Sequence, residues 1–155
     1  DAKDNILDFR ISPSDKAKIK SYVFSGFNHC LYEYQKFDSD TERKLAVMLD
    51  RTVEKWFKPL SGQFNIFYKY QGQEHPYLPD FVAETKDSIL LLEPKNKDEM
   101  DDSVVLAKKK AAQTWCQQAS KHAISYGGKP WKYVLIPHHA VQDQVTLEML
   151  VKSYE

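Results

Sequence analysis

Two carboxylates and a lysine are spaced to meet on one face of a predicted β-hairpin. If residues 86–87 form a two-residue turn, counting outward in antiparallel register places Asp80 opposite Glu93. Lys95 follows Glu93 by two residues, so the period of a strand puts both side chains on the same face. The spacing therefore predicts that Asp80, Glu93 and Lys95 converge, whereas a turn of odd length would move Asp80 to the opposite face.

These residue types suit metal-dependent hydrolysis of phosphodiesters. Cross-strand partners have Cβ atoms about 4.5–5.5 Å apart, and like charges at that distance destabilise a fold unless a cation lies between them. Mg²⁺ prefers oxygen ligands and takes one or two carboxylates with waters and substrate phosphates. A lysine beside it can orient a water or stabilise charge on phosphorus. We therefore expect Asp80, Glu93 and Lys95 to be catalytic rather than part of a solvated strand face.

The surrounding sequence resembles a known nuclease signature. Residues 77–82 and 91–95 look like the two halves of the PD-(D/E)xK motif. The likeness covers most of the chain from about residue 24 onward and is closest to the C-terminal endonuclease domain of the Res subunit of type III restriction-modification enzymes. The other segments that carry it are 36–39, 53–59, 111–116, 129–133 and 136–138.

The resemblance implies an α/β fold with a PD-(D/E)xK restriction-endonuclease-like core that cleaves double-stranded DNA with Mg²⁺, for which Mn²⁺ can substitute. Asp80 and Glu93 would ligate the metal, and the backbone carbonyl of Pro94 would add a further ligand. Lys95 would assist the attacking water. Proline at position 94 departs from the usual aliphatic residue and fits an unpaired edge or a bulge.

Two further residues are candidates for roles around this site. Glu42, in the helix that precedes the sheet, matches the additional metal ligand of many members of the superfamily. Its distance from Ser39 also fits a capping box, and the residue can serve both purposes. Lys108 begins a run of three lysines on the helix after the catalytic strand. Such runs are usually solvated faces, but Lys108 is a candidate contact to a DNA phosphate.

The resemblance also implies partners. In the type III family, DNA recognition belongs to the Mod methyltransferase subunit, and ATP-driven motion belongs to the helicase region of the same polypeptide. Residues 127–130 lack the glycine spacing and the serine or threonine of a Walker motif, so no ATP site is expected here. Two other functions stay open: a non-catalytic nuclease-fold module that docks DNA or a subunit, and a repair or RNA nuclease on the same core.

Composition limits the classes of partner. Twenty-two lysines and arginines balance 22 acidic residues, so DNA must be held by a local patch or through metal ions. The apolar runs fall short of the roughly 20 residues that cross a bilayer, and the first residues lack the basic and apolar regions of a secretory signal. Cys30 and Cys116 have no zinc-ligand spacing and are expected to be free thiols. We therefore expect a cytoplasmic protein with no membrane partner.

The elements that position the site follow from hydrophobic periodicity. Residues 1–36 are predicted to be an N-terminal extension packed on the core, and 37–155 the endonuclease-like domain. The order αβββαβα predicts a central mixed sheet of four to five strands flanked by helices. The predicted elements are a short helix at 12–21, a strand at 30–37, a helix from 39 that stops before Pro59, strands at 64–70, 78–85 and 88–94, a helix from 101 to before 127, a strand at 131–136 and a helix at 145–154.

Overall fold

The chain is a mixed α/β structure, and a computed structural model describes its residues 5–155. The first four residues of the predicted N-terminal extension lie outside this range. The helices and strands are β1 (Ile6–Asp8), β2 (Val23–Ser25), α1 (Asp40–Thr52), β3 (Lys55–Phe57), β4 (Ile66–Tyr70), β5 (Gln73–Tyr77), β6 (Phe81–Glu84), β7 (Ile89–Lys95), α2 (Ser103–Ser125), β8 (Trp131–Pro137) and α3 (Leu147–Tyr154).

The main sheet has four strands in the order β3-β6-β7-β8. Its first two pairings are antiparallel, and β7 pairs with β8 in parallel. A parallel pair needs a long crossover, which α2 provides. Because both faces of β7 are covered, its first half is a continuous apolar run, Ile89–Leu92. The predicted mixed sheet flanked by helices is thus confirmed.

Each face of the sheet packs against its own hydrophobic core. One core joins the sheet to α1, α3 and buried residues of the N-terminal segment such as Phe9 and Phe24. The other joins it to α2 and the β4–β5 hairpin, with Ala112 and Cys116 facing inward from the helix. Phe9 and Phe24 of the segment 1–36 thus pack in this core, and the division into an extension at 1–36 and a domain at 37–155 stays a prediction.

Helix α1 ends earlier than predicted. Trp56 and Phe57 continue its apolar spacing, but the backbone turns extended at Val53, with φ −96° and ψ 163°, and both residues lie in β3. Trp56 is fully buried, and its indole Nε1 donates to Asp50 at 3.0 Å. Packing of this large side chain in the core outweighs the local helical pattern.

The predicted strand at 64–70 does not belong to the main sheet. It forms a separate two-stranded hairpin with β5, which lies between the predicted strands at 64–70 and 78–85 and contains Pro76. Proline is tolerated there because each strand of a two-stranded sheet is an edge. The turn residues Gln71 and Gly72 have φ of 52° and 76°, as a type I′ hairpin turn requires. The order αβββαβα survives, with β3 as its first strand.

The N-terminal segment departs from prediction at residues 30–37. Instead of a strand it makes two isolated bridges, Cys30 with Trp56 and Gln35 with Phe24. Alternation alone does not make a strand when the segment lacks a continuous partner. The predicted helix at 12–21 is a shorter 3-10 helix, Lys16–Ser21.

Two simpler expectations concern the cysteines and the membrane. Cys30 and Cys116 are both free thiols, as predicted. Among the helices at residues 5–155, none is long and apolar enough to span a bilayer.

Candidate active site

The β6–β7 hairpin has the predicted register. Phe81 pairs with Leu92 at the end of the ladder that the turn at 86–87 begins. One further step of this register sets Asp80 opposite Glu93. Asp80 lies one residue before β6, which begins later than the predicted strand at 78–85, and it is close enough to Glu93 for the charge of that carboxylate to raise its pKa.

The direction of the backbone groups shows how close the two side chains come. The Ile89 N–H donates to the Pro130 carbonyl at 2.9 Å, so the backbone groups of Ile89 face β8. Because these groups alternate along a strand, those of Leu92 face β6, and the Leu92 pair is a hydrogen-bonded one. Asp80 and Glu93 then occupy the next, non-hydrogen-bonded position, where Cα atoms are about 4.5 Å apart and side chains approach most closely.

The same alternation explains why proline is tolerated at position 94. Its backbone groups face the β6 side of β7, where pairing has already ended at Leu92. The missing N–H therefore removes no bond from the ladder, although β7 is an interior strand. The Pro94 carbonyl points to the side of β7 on which Asp80 lies, and its role as a metal ligand stays a prediction.

Burial favours a shared proton on the two carboxyl groups when no metal ion is bound. Glu93 is only 4% exposed. Desolvation and the neighbouring Glu93 carboxylate raise the pKa of Asp80 to about 7, against the charges of Lys58 and Lys95. Desolvation also raises the pKa of Glu93, opposed by a hydrogen bond from Tyr77 and the charge of Lys95. Near neutral pH, both carboxylates are charged together only if a cation compensates them.

Lys95 and Lys108 supply positive charge on the Glu93 side of the pair. The charge of Lys95 lowers the pKa of both Asp80 and Glu93, which agrees with its predicted place on their face. The Lys108 ammonium lies 5.5 Å from the ring centroid of Tyr77, and its charge also lowers the pKa of Glu93. Lys108 therefore lies closer to the carboxylates than the sequence indicates, and its contact with DNA stays a prediction.

Glu42 is buried next to Asp80 but is already engaged by a cation. Its backbone N–H donates to Ser39 Oγ at 3.1 Å, which confirms the N-terminal capping interaction. Its carboxylate forms an ion pair with Lys58. Desolvation and the charge of Asp80 raise the pKa of Glu42, while Lys58 lowers it. The Lys58 ammonium also lies 5.1 Å from the ring centroid of Phe81. The role of Glu42 as a metal ligand stays a prediction.

Sequence reasoning missed Lys58 and a pair of tyrosines at this site. The Tyr77 hydroxyl lies 3.0 Å from the Tyr133 hydroxyl, and Tyr77 is close enough to Glu93 to lower the pKa of that carboxyl. Tyr133 comes from β8, beyond a helix of 23 residues, so nothing local in the sequence indicates its register with β7. Lys58 directly follows a short edge strand, and no spacing in the sequence relates it to Asp80 or Glu93.

The donor atoms fit a hard divalent cation. Asp80 and Glu93 offer carboxylate oxygens and Pro94 a carbonyl, and the paired charge requires compensation. Over residues 5–155 there is no group of three or more His, Cys, Asp or Glu side chains with metal-ligand spacing. Waters and substrate phosphate would therefore complete the coordination, as is usual for Mg²⁺.

A scan against protein-family models finds no match to this chain, and a search of curated proteins finds none either. The geometry of the Asp80 and Glu93 pair and its lysines is therefore the basis on which a function can be assigned.

Proposed function

We propose that this chain is a Mg²⁺-dependent endonuclease domain of the PD-(D/E)xK type that hydrolyses phosphodiester bonds in double-stranded DNA. The observation that supports it most is the placement of Asp80 opposite Glu93, with Lys95 two residues further along the same face. The four-stranded mixed sheet and the order αβββαβα are compatible with the architecture that the resemblance implies.

Each residue of the site has a distinct role in this proposal. Asp80, Glu93 and the Pro94 carbonyl would hold Mg²⁺, which when bound lowers the pKa of a coordinated water and polarises a phosphoryl oxygen. Tyr77, which lowers the pKa of the Glu93 carboxyl, favours its charged, metal-binding form. Lys95 orients the attacking water and stabilises the negative charge that develops on the phosphate. Burial of the carboxylates strengthens these interactions by excluding bulk water.

The wider context follows from the resemblance at residues 77–82 and 91–95. The chain would be the cutting module of a cytoplasmic type III restriction-modification enzyme. Sequence choice would come from a Mod methyltransferase subunit and ATP-driven motion from a helicase region of the same polypeptide. In this setting Lys108 would contact a phosphate of the bound DNA.

A cleavage assay with matched variants tests the nuclease proposal. We expect a labelled DNA duplex to be cut with Mg²⁺ or Mn²⁺ and not with EDTA. Asp80→Asn, Glu93→Gln and Lys95→Ala should each slow cleavage by at least roughly 100-fold, as expected for the loss of a metal ligand or an electrostatic catalyst. Asp87→Asn is the control, because it removes an exposed carboxylate from the turn of the same hairpin.

Metal binding gives a second readout if the domain binds DNA weakly on its own. Calorimetric titration with Mn²⁺ should show binding to the wild type and to Asp87→Asn, and none to Asp80→Asn. Mn²⁺ binding without cleavage of any duplex would favour the non-catalytic alternative. Faster cleavage of single-stranded DNA or RNA than of duplex DNA would instead favour a repair or RNA nuclease.

A further inference from the structure

A second polar site lies along α1. It is a cavity of about 250 Å³ between α1 and the segment 141–145 that leads into α3. None of the residues that line it belongs to the carboxylate site. Its charged lining residues are four cations and a single acid: Arg10, Arg43, Lys44, Arg51 and Asp143.

Arg43 is held rigidly in the wall of this cavity. Its side chain is only 6% exposed. Its Nε donates to Asp40 Oδ1 at 2.7 Å, and its Nη1 donates to the Phe9 carbonyl at 3.1 Å. Within residues 5–155 the third nitrogen, Nη2, donates to no protein atom, and it is not sealed from solvent. A guanidinium fixed by two bonds thus lines the cavity with the two N–H groups of Nη2 still without a protein acceptor in the described residues.

The other cationic side chains, Lys44 and Arg51, give the cavity an excess of positive charge. Arg51 forms no ion pair with any residue in the described part of the chain, and the Lys44 ammonium is 4.0 Å from its nearest carboxylate oxygen, on Asp40. Lys44 and Arg51 are seven residues apart, so they lie on one face of α1 about 10 Å apart along its axis. Arg10 is paired with Asp8, and Asp143 is exposed.

We propose that this cavity binds a phosphate group and, building on the proposed nuclease function, that the group is a backbone phosphate of the bound DNA. A phosphate has several acceptor oxygens and can accept from Arg43 while Lys44 and Arg51 approach from the helix. A bound oxygen would also satisfy Arg43 Nη2, which has no protein acceptor within residues 5–155.

The position of the cavity relative to the carboxylate site supports a DNA phosphate. Arg43 directly follows Glu42, so one wall begins at a residue beside Asp80. The opposite wall begins three residues after His138, whose pKa responds to the charges of Glu42 and Lys95. If a strand cleaved at Asp80 continues along α1, the cavity would fix its register without reading its sequence.

Inorganic phosphate, titrated into the full chain and followed by amide NMR shifts, tests the site directly. The wild type should show saturable shifts concentrated in residues 43–51 and 141–145. Lys44→Gln/Arg51→Gln should weaken binding by about tenfold or more, since it removes roughly 1.4 kcal/mol or more of charge-assisted interaction. The matched control is Lys86→Gln/Lys121→Gln, which removes two exposed lysines elsewhere and should change the affinity by less than about twofold.

Duplex binding in Ca²⁺, measured by fluorescence anisotropy across a salt series, tests the DNA part. Loss of the one phosphate that Lys44 and Arg51 approach should reduce the slope of log K against log salt by about one in the cavity variant, and by much less in the control. The inference would be overturned if both double variants lost the same affinity for phosphate and duplex. It would also be overturned if the phosphate-induced NMR shifts were spread evenly over surface lysines.

These measurements separate this inference from the nuclease proposal. Asp80→Asn should slow cleavage by at least roughly 100-fold while inorganic phosphate still produces the wild-type shifts around the cavity. If the wild type does not cleave but its duplex binding still depends on Lys44 and Arg51, the nuclease proposal fails and the cavity inference stands. If the wild type cleaves DNA and phosphate produces no shifts around the cavity, the cavity inference alone is wrong.

Discussion

At the scale of single residues, the buried carboxyl of Asp80 couples folding to pH. Its pKa is raised from the ordinary 3.8 to about 7, so the folded protein binds this proton more tightly than the unfolded chain. The stabilisation is therefore complete below about pH 4 and is lost as pH rises through about 7. Over that range the metal-free wild type should lose stability on the order of 3 kcal/mol relative to Asp80→Asn.

Urea unfolding in EDTA from pH 4 to pH 8 measures this difference. Asp80→Asn serves as the reference because its amide resembles the neutral acid and does not titrate. Millimolar Mg²⁺ should restore stability to the wild type at pH 8 and leave the variant unchanged. If the free energies of unfolding of the two proteins in EDTA change with pH in the same way, the carboxyl of Asp80 does not hold a proton in the folded protein.

Residue-level prediction from the sequence works where partners are close along the chain. Asp80, Glu93 and Lys95 can be placed together because one short turn fixes their register. Lys58 and Tyr133 reach the same site only through the pairing of distant strands. Their positions depend on which strands become neighbours, and periodicity carries no information about that choice.

At the scale of elements, the β4–β5 turn can be improved by one substitution. Gln71 has a φ of 52°, a left-handed conformation that is costly for glutamine and better tolerated by asparagine. Gln71→Asn creates the Asn-Gly pair preferred in type I′ turns and should raise the free energy of unfolding by up to about 1 kcal/mol. Thermal unfolding of this variant beside Gly72→Ala, which should be destabilised at its φ of 76°, measures the effect. Stabilisation by both substitutions would contradict the turn geometry.

Helices and the central strands were easier to predict than the edge of the sheet. The long helix α2 and strand β8 appear close to their predicted bounds because their patterns are long and internally consistent. Strand β3 has only three residues and follows a helix whose apolar spacing continues into it. Strand β5 was not predicted, because proline at position 76 is unusual in a strand. The Gln71-Gly72 turn that precedes it could have indicated a hairpin.

At the scale of the whole molecule, the cysteines should report global unfolding. Cys116 lies in the core between α2 and the sheet, and burial raises its thiol pKa to about 12. Because the thiolate is the reactive form, a thiol reagent at neutral pH should label Cys116 only when the fold opens. Cys30 is half-buried, and its thiol pKa is also raised by burial. It should therefore react slowly with the reagent, but before Cys116 does.

Mass spectrometry of alkylated protein over increasing urea concentrations measures both labelling rates. Cys116 should follow the unfolding curve obtained by circular dichroism, and Cys30→Ser should remove only the earlier label. Comparable labelling of the two cysteines in native buffer would show that the α2 core opens without global unfolding.

The ion pair between Glu42 and Lys58 has a consequence for how the carboxylate site can change its coordination number. Recruiting Glu42 as a further protein oxygen, beyond those of Asp80, Glu93 and Pro94, means exchanging one cation for another, because the Lys58 ammonium must leave before the metal arrives. A metal ion would therefore gain this ligand only as the lysine withdraws.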